Sequence, residues 1–159
     1  STEWSHSINL GSEGSSDVNF TYPSGVAVSA DTLTAWVADY SNNRISVWIR
    51  TSDTSTNWSH SSNFGTSGNG DANFDRPIGV AVSPNGRTVW GADLFNSRIS
   101  VWTRPTNTST DWSHSINFGG QGTEDYNFGG PTGVAVSANG RTVWVSDSAN
   151  NRISIWTYS

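Results

Sequence analysis

Three histidines and three aspartates are the residues of this sequence whose types and spacing could do chemistry. Zinc sites often use three imidazoles, and a ring of carboxylates could hold a hard cation such as calcium. Each set recurs at one constant spacing, so the elements that carry these residues decide whether they can meet. The two sets are His6, His60 and His114, and Asp39, Asp93 and Asp147.

The chain repeats along its whole length. Trp4, Trp58 and Trp112 are evenly spaced, and the register continues without a gap through all 159 residues. A period of this length is typical of propellers and other repeat arrays. Because each copy occupies an equivalent environment, residues shared by all copies most simply serve a need of every unit. The predicted units are residues 1–54, 55–108 and 109–159.

Each unit consists of short stretches of alternating apolar and polar residues separated by turn residues, with no helical periodicity. This pattern predicts four antiparallel strands per unit. Four such strands form one blade of a β-propeller. In the second unit the predicted strands are residues 79–83, 88–93, 98–103 and 111–119.

The second unit resembles the NHL repeat through the pattern F..P.GVAVS..G.TVW.AD and the arginine that follows it. The resemblance implies a β-propeller, typically of six blades and used mostly for binding. A minority of similar propellers are lyases or hydrolases with a metal in the central channel. The residues that carry the resemblance are Phe74, Pro77, Gly79, Asp93, Asn96, Arg98 and Ile99, with their equivalents in the other two units.

Three blades make only half of such a ring. We therefore expect an all-β protein with three four-stranded blades per chain, closed as a six-bladed ring of two chains. Residues 4–10 would complete the last blade of the partner, because residues 152–156 form a third strand that lacks a fourth. In strict alternation Trp4, His6, Ile8 and Leu10 would share one face. The residues assigned to closure are Trp4, Ile8, Leu10, Arg152, Ile153, Ile155 and Trp156.

Blade geometry favours structural roles for the residues that first suggested chemistry. With strands about 4.8 Å apart, the fourth strand lies about 14 Å outside the first, so histidines of different blades diverge. We expect structural histidines, nine tryptophans packed mainly in the core, and no metal site. Each aspartate faces an arginine across a short loop and would pair with it, although a carboxylate ring at the channel mouth is the alternative. The expected pairs are Asp39 with Arg44, Asp93 with Arg98, and Asp147 with Arg152.

Two further motifs recur. Each Asp-x-Asn triplet, at residues 17–19, 71–73 and 125–127, resembles the start of a calcium loop but lacks the distal glutamate, which favours turn capping. No Ser-His-Asp order, catalytic glutamate pair or phosphate loop stands out, so we predict no catalytic residue. Three sequons would carry glycans if a eukaryote secretes the chain. They begin at Asn19, Asn57 and Asn107.

Ligand recognition is expected where the blades differ. One variable position precedes the shared proline, two follow the shared aspartate, and in propellers these loops open on the same face. Blade-specific side chains on a rigid frame could recognise a ligand there, although neutral drift would give the same variation. The candidate ligand-binding residues are Tyr22, Tyr40, Arg76 and Phe95, with Asp39, Asp93 and Asp147.

Composition narrows the choice of partners. The net charge is −5 and lysine is absent, which argues against nucleic acid and anionic membranes. No apolar run approaches the roughly 18 residues of a membrane helix. The Ser, Thr and Asn content favours an extracellular or cell-surface setting. We expect a non-enzymatic binding or scaffold module without a cofactor, whose partners are a second copy and a protein or glycan ligand. The alternatives are a lectin-like propeller that uses an exposed Trp or Tyr, and a channel-metal lyase or hydrolase.

Overall fold

The computed structural model describes residues 3–159, so residues 1 and 2 of the first predicted repeat lie outside the described part. The described chain forms strands and turns, with one short 3-10 segment at Tyr40–Asn42 and another at Ser148–Asn150. The first sheet, called sheet 1, has four antiparallel strands in chain order. These are β1 (Pro23–Val28), β2 (Thr34–Asp39), β3 (Arg44–Ile49) and β4 (Ser59–Phe64).

A short parallel pair of strands, β5 (Thr66–Ser67) and β6 (Asn73–Phe74), leads from sheet 1 into sheet 2. Single bridges between Glu13 and Phe20 and between Gln121 and Phe128 mark the same loop in the other two repeats. Sheet 2 repeats the four-stranded antiparallel order of sheet 1. Its strands are β7 (Pro77–Val82), β8 (Thr88–Asp93), β9 (Arg98–Thr103) and β10 (Ser113–Gly119).

Sheet 3 contains β11 (Pro131–Val136), β12 (Thr142–Asp147) and β13 (Arg152–Thr157). Within residues 3–159, no strand pairs with the outer edge of β13, and residues 3–10 form no strand. The structure of one chain therefore contains two complete four-stranded sheets and one three-stranded sheet. This arrangement agrees with the predicted strand pattern and leaves the predicted fourth strand of the last blade unformed.

A β-bulge changes the predicted alternation of the fourth strands. In β10, His114 pairs with Trp102 and Ile116 with Val101, so the register shifts between His114 and Ile116. The same shift occurs in β4 between its pairs with Val47 and Trp48. Because of this bulge, the equivalents of Trp4 and His6 lie on one face and those of Ile8 and Leu10 on the other. The prediction that all four share a face was wrong.

Apolar side chains fill the space between successive sheets. We call the face of a sheet toward the preceding sheet its front face and the opposite one its rear face. The rear face of sheet 1 packs against the front face of sheet 2, and sheet 2 packs in the same way against sheet 3. The first junction includes Trp36, Ile45, Val47, Phe74, Val80 and Trp102, and the second includes Trp90, Ile99, Val101, Phe128 and Val145.

Glycine allows the first strands of successive sheets to approach each other closely. A Cβ atom on Gly25 would lie 2.4 Å from the Ile78 carbonyl oxygen, and one on Gly79 would lie 2.5 Å from that of Thr132. Either distance is too short for a side chain, so these positions require glycine. The described residues include no helix that is long and apolar enough to span a membrane.

Candidate functional site

The aspartate that ends each second strand is the centre of a buried polar network. In sheet 2, Oδ1 of Asp93 accepts from the backbone N–H of Asp75 at 2.7 Å. Its Oδ2 accepts from Asn96 Nδ2 and from Arg98 Nε, both at 2.8 Å. Arg98 in turn donates to the carbonyl oxygens of Asn69, Gly70 and Asn73. The network therefore fixes the loop before the first strand to the end of the second strand.

The same network recurs in the other two sheets, with Asp39 paired to Arg44 and Asp147 paired to Arg152. The predicted aspartate–arginine pairs are thus confirmed in all three repeats. The three aspartate side chains are fully buried, and both oxygens of each accept hydrogen bonds. The prediction that these aspartates bind a ligand is therefore corrected, because their side chains are buried. They hold the loops that carry the exposed residues.

The pKa values of two of these carboxyl groups shift in opposite directions. Burial between two sheets raises the pKa of Asp93, despite hydrogen bonds from Asp75, Asn96 and Arg98. Burial also acts to raise the pKa of Asp147, but hydrogen bonds from Asn150, Gly130, Gly129 and Arg152 hold it below the ordinary value. Sheet 3 has no sheet packed on its rear face, which explains the weaker effect of burial on Asp147.

We expect calcium to leave the melting temperature of the chain unchanged to within about a degree, because a cation that binds only the folded state would raise it. Among residues 3–159, no group of three or more His, Cys, Asp or Glu side chains could hold a metal ion. The measurement is a thermal melt with calcium and with a chelator. A rise of several degrees with calcium would restore the carboxylate-ring alternative.

The histidines pack on the tryptophans of the third strands. The rings of His60 and Trp48, and those of His114 and Trp102, are 5.6 Å apart and nearly perpendicular. Nε2 of His60 lies 3.1 Å from Asn63 Oδ1. The histidines lie on separate sheets and, in the described chain, no metal-binding group includes them. The expected hydrogen-bonded structural role is confirmed for His60. His114 packs in the same way, but its Nε2 is buried without a hydrogen-bond partner in the described chain, and His6 is exposed.

Stacked aromatic rings and arginines join the sheets on the side opposite the Asp–Arg network. The Arg104 guanidinium carbon lies 5.5 Å from the centre of the Trp36 ring and 4.9 Å from that of Trp112. Arg50, its equivalent in sheet 1, stacks on Trp58 at 5.0 Å. Burial lowers the pKa of Arg104, which donates to the carbonyls of Gly86 and Ser109.

Most of the nine tryptophans pack as predicted, and two exceptions lie at the ends of the array. Trp36, Trp48, Trp90 and Trp102 are buried. Trp4 is fully exposed, and Trp144 on the rear face of sheet 3 is 38% exposed. The exceptions therefore mark the places where a neighbouring sheet or strand is missing. Trp58, Trp112 and Trp156 are half-buried.

The Asp-x-Asn triplets stabilise loops. Asp17 lies 3.7 Å from Arg44 and accepts from Asn63 Nδ2 at 2.8 Å, and Asp71 accepts from Asn117 in the same way. Among the sequons, the Asn19 side chain hydrogen-bonds Ser12 and is half-buried. The other two sequon residues, Asn57 and Asn107, are exposed.

The half-buried Tyr40 and the exposed Arg76 and Phe95 form a cluster on the loops beside the Asp–Arg network. The Arg76 guanidinium carbon lies 4.6 Å from the centre of the Phe95 ring and 5.9 Å from that of Tyr40. Tyr40 belongs to the first repeat and the other two residues to the second, so the cluster bridges two repeats. Three of the variable residues predicted to bind a ligand therefore lie together. We call this group the Arg76 cluster.

Comparison with known proteins identifies the repeat. The NHL repeat family matches residues 20–48 and 128–156. The chain contains NHL repeats. This result confirms the resemblance found in the sequence, and the matched segments include the Asp–Arg pairs of the first and third repeats. No curated protein sequence matches the chain.

Solved structures with a fold similar to that of this chain include a β-propeller domain. The periplasmic gluconolactonase of Pseudomonas aeruginosa superposes with a TM-score of 0.67 at 15% identity, over 88% of this chain and 40% of that one. A protein of unknown function from Desulfotomaculum acetoxidans gives 0.64 at 19%, over 87% and 40%. A β-propeller domain from Myceliophteria thermophila gives 0.61 at 12%, over 84% and 37%. The chain thus spans about two fifths of the length of these structures, and its sheets have the β-propeller fold.

The fourth variable residue, Tyr22, occupies in the first repeat the position of Arg76 in the second repeat. Tyr22 and Arg76 have left-handed backbones, with φ of 55° and 57°. Asn43 Oδ1 accepts from the Arg76 N–H at 2.8 Å and holds this conformation. In the third repeat Gly130 is not left-handed and its N–H bonds to Asp147.

Asn43 was not identified from the sequence, although a signal for it exists. Its equivalents in the second and third NHL repeats are Ser97 and Asn151. Asn43 thus accompanies the bulky Arg76 at the variable position of the next repeat, and Ser97 accompanies Gly130. Comparing each of these positions with the variable position of the following repeat would have revealed this match.

Proposed function

We propose that the chain is a non-enzymatic binding module, in which two chains form a six-bladed propeller and loops on one face bind a ligand. The residues 1–54, 55–108 and 109–159 would each supply one blade repeat. The observation that carries the assembly is that the two ends of the array are uncovered surfaces of complementary kind. We call the contact between the rear face of sheet 3 and the partner's sheet 1 the seam.

The rear face of sheet 3 is the first of these surfaces. Ile153 and Ile155 are 63% and 61% exposed, whereas the equivalent residues of sheets 1 and 2 are at most 8% exposed. Their equivalents are buried only because another sheet covers them. Exposed apolar side chains gathered on one sheet face favour association. The equivalent residues are Ile45, Val47, Ile99 and Val101.

The front face of sheet 1 is the second surface. Val26 is 66% exposed, whereas Val80, its equivalent in sheet 2, is 7% exposed beneath sheet 1. A cleft of about 430 Å³ lies beside this face and is lined by Leu10, Phe20 and Tyr22 among others. The junctions within the chain show how a rear face fits a front face, and the same fit is available between two chains.

Residues 4–10 support the exchange of a strand at the seam. Leu10 already packs on the cluster that contains Phe20 and Trp48, as Phe64 packs in the next repeat. By the repeat, Asn9 would donate to the partner's Asp125, just as Asn63 donates to Asp17. The Asp125 carboxylate is fully exposed within a single chain and lies 3.9 Å from Arg152.

Two further positions would gain contacts from the partner chain at the seam. Tyr22 has the left-handed backbone that Asn43 stabilises at Arg76, and the partner's Asn151 would accept from its N–H. Arg50 has one stacked tryptophan where Arg104 has two, and the partner's Trp144 would supply the second.

The ligand-binding face is assigned to the variable loops. Replacing Tyr22, Tyr40, Arg76 and Phe95 together with serine is expected to lower the free energy of unfolding by less than about 0.5 kcal/mol per residue, because exposed loop residues contribute little. Ser97 already has a left-handed backbone, with φ of 52°, so serine is compatible with positions 22 and 76. The measurement is chemical denaturation of both proteins together with a glycan array.

The variant should keep its fold and lose any ligand of the wild-type chain. Large destabilisation would mean that these residues belong to the core and that the binding face lies elsewhere. Turnover of gluconolactone by the purified chain would contradict the non-enzymatic part of the proposal.

Carbohydrate binding is the second candidate function. The observation that favours it is the exposure of aromatic rings on the loop face, where Tyr22 is 79% and Phe95 is 55% exposed. Aromatic rings provide large, rigid contact surfaces for apolar ligand faces. A protein ligand fits the same face, and an extracellular setting would suit either ligand.

A further inference from the structure

We propose that the Arg76 cluster binds an acidic sugar, a pyranose that carries a carboxylate. The proposal rests on the binding face assigned above and names its ligand class. Arg76 is exposed and its guanidinium is in contact with aromatic rings from two repeats. Within residues 3–159, no carboxylate lies within ion-pairing distance of Arg76, and its side-chain N–H groups have no hydrogen-bond partner.

Most other arginines of the chain differ from Arg76 because their side chains donate hydrogen bonds. All eight basic residues are arginines, and most donate to carboxylates or carbonyl oxygens. In the described part of the chain, Arg141 is the other arginine whose side chain makes no hydrogen bond, and no aromatic ring stacks on it. Arg76 therefore combines free donors with a fixed position, and Arg141 provides a matched comparison.

Arg76 also has a strained backbone, as has Tyr22 at the equivalent position of the first repeat. The φ of 57° at Arg76 is disfavoured for a residue with a side chain, and the Asn43 side chain holds it. The third repeat has Gly130 at this position without a left-handed backbone, so the repeat itself does not demand this conformation. Strained residues that the fold does not require are concentrated at binding sites.

The chemistry of the cluster defines the ligand. A guanidinium is a planar fork that donates two parallel hydrogen bonds to a carboxylate. The exposed face of Phe95 can contact the C–H face of a sugar ring, and the hydroxyl of the neighbouring exposed Ser41 can contact sugar hydroxyls. A net charge of −5 disfavours polyanions, so one carboxylate for one arginine is the better match.

The experiment uses the full chain labelled with ¹⁵N. The chain is titrated with two methyl glycosides, one of glucuronate and one of glucose. The glucuronide should shift the Nε–H resonance of Arg76 in a saturable way, and the neutral glucoside should not. Arg76→Gly should weaken glucuronide binding by about tenfold or more, since a charge-assisted hydrogen bond is lost. Arg141→Gly removes the same charge and should change the affinity by less than about twofold.

Phe95→Ser should weaken binding with the Arg76 resonance still responding to the ligand. The absence of a response to the glucuronide, an equal response to the glucoside, or unchanged affinity in Arg76→Gly would overturn the proposal. A stronger response to glucose 6-phosphate or to an acidic peptide would replace the acidic sugar with that ligand. Light scattering on the same samples shows whether the two-chain assembly is intact. A failure of acidic-sugar binding is thereby distinguished from a failure of that assembly.

Discussion

The intact chain is expected to scatter light as a dimer down to low micromolar concentration, and a chain that lacks residues 1–11 as a monomer or an aggregate. Each seam would bury Trp4 and Leu10 of one chain and Ile153 of the other, at about 2 kcal/mol for each side chain. The deletion removes the strand that would cover the open edge of β13, and open edges promote aggregation. Static light scattering over a dilution series provides the measurement.

A point substitution tests the seam without removing a strand. At Gly25 and Gly79 there is no room for a side chain, because the first strand of the next sheet is too close. At Gly133 no backbone atom of a further strand lies within 4 Å of the position of a Cβ atom. Gly133→Ala should therefore leave the chain folded after a small movement of the Ser146 hydroxyl, and should weaken the dimer. The matched control is Gly140→Asn, at an open turn with φ of 71°, which asparagine tolerates.

A well-folded monomer of the intact chain would contradict the six-bladed assembly. A dimer that survives both the deletion and Gly133→Ala would contradict the seam as drawn and would require a different interface.

Asp93→Ala is expected to lower the free energy of unfolding by about 3 kcal/mol. The change removes the carboxylate that accepts hydrogen bonds from the partly buried Arg98 guanidinium and from a backbone N–H. The Arg98 side chain is 11% exposed and the Asp93 side chain is fully buried. The measurement is chemical denaturation at a fixed protein concentration, since stability of an assembly depends on concentration.

Asp53→Ala provides the control, because Asp53 is exposed and makes no ion pair within residues 3–159, and it should change stability by less than about 0.5 kcal/mol. Arg98→Met combined with Asp93→Ala should cost much less than the sum of the single changes, because the two residues belong to one network. A stable Asp93→Ala chain that loses a ligand would instead give the aspartate a functional role.

The sequence alone was sufficient for the elements that alternation and repetition define. The predicted strands 88–93 and 98–103 agree with β8 and β9 to the residue. The pairing of Asp93 with Arg98 followed because Asp93 ends one strand and Arg98 begins the adjacent antiparallel strand. These features depend on residues that are close in the chain or lie at equivalent positions of one repeat.

Features that depend on contacts between repeats could not be predicted in the same way. The bulge between His114 and Ile116 has no glycine or proline to mark it, so alternation put the wrong side chains on one face. Arg104 reaches tryptophans of two repeats, and Arg76 reaches rings of two repeats. Such contacts depend on how far one sheet is rotated and displaced from the next, which the length of the repeat does not reveal.

The two uncovered faces belong to one rigid array of sheets, and this has a consequence for the kinetics of assembly. In the proposed two-chain ring, formation of the first seam would hold the remaining pair of faces together at a high effective concentration. The second seam would then close as an intramolecular step, and a chain could leave only after both seams had opened. Mixed samples of two differently labelled dimers should therefore exchange subunits far more slowly than the loss of a single seam would allow.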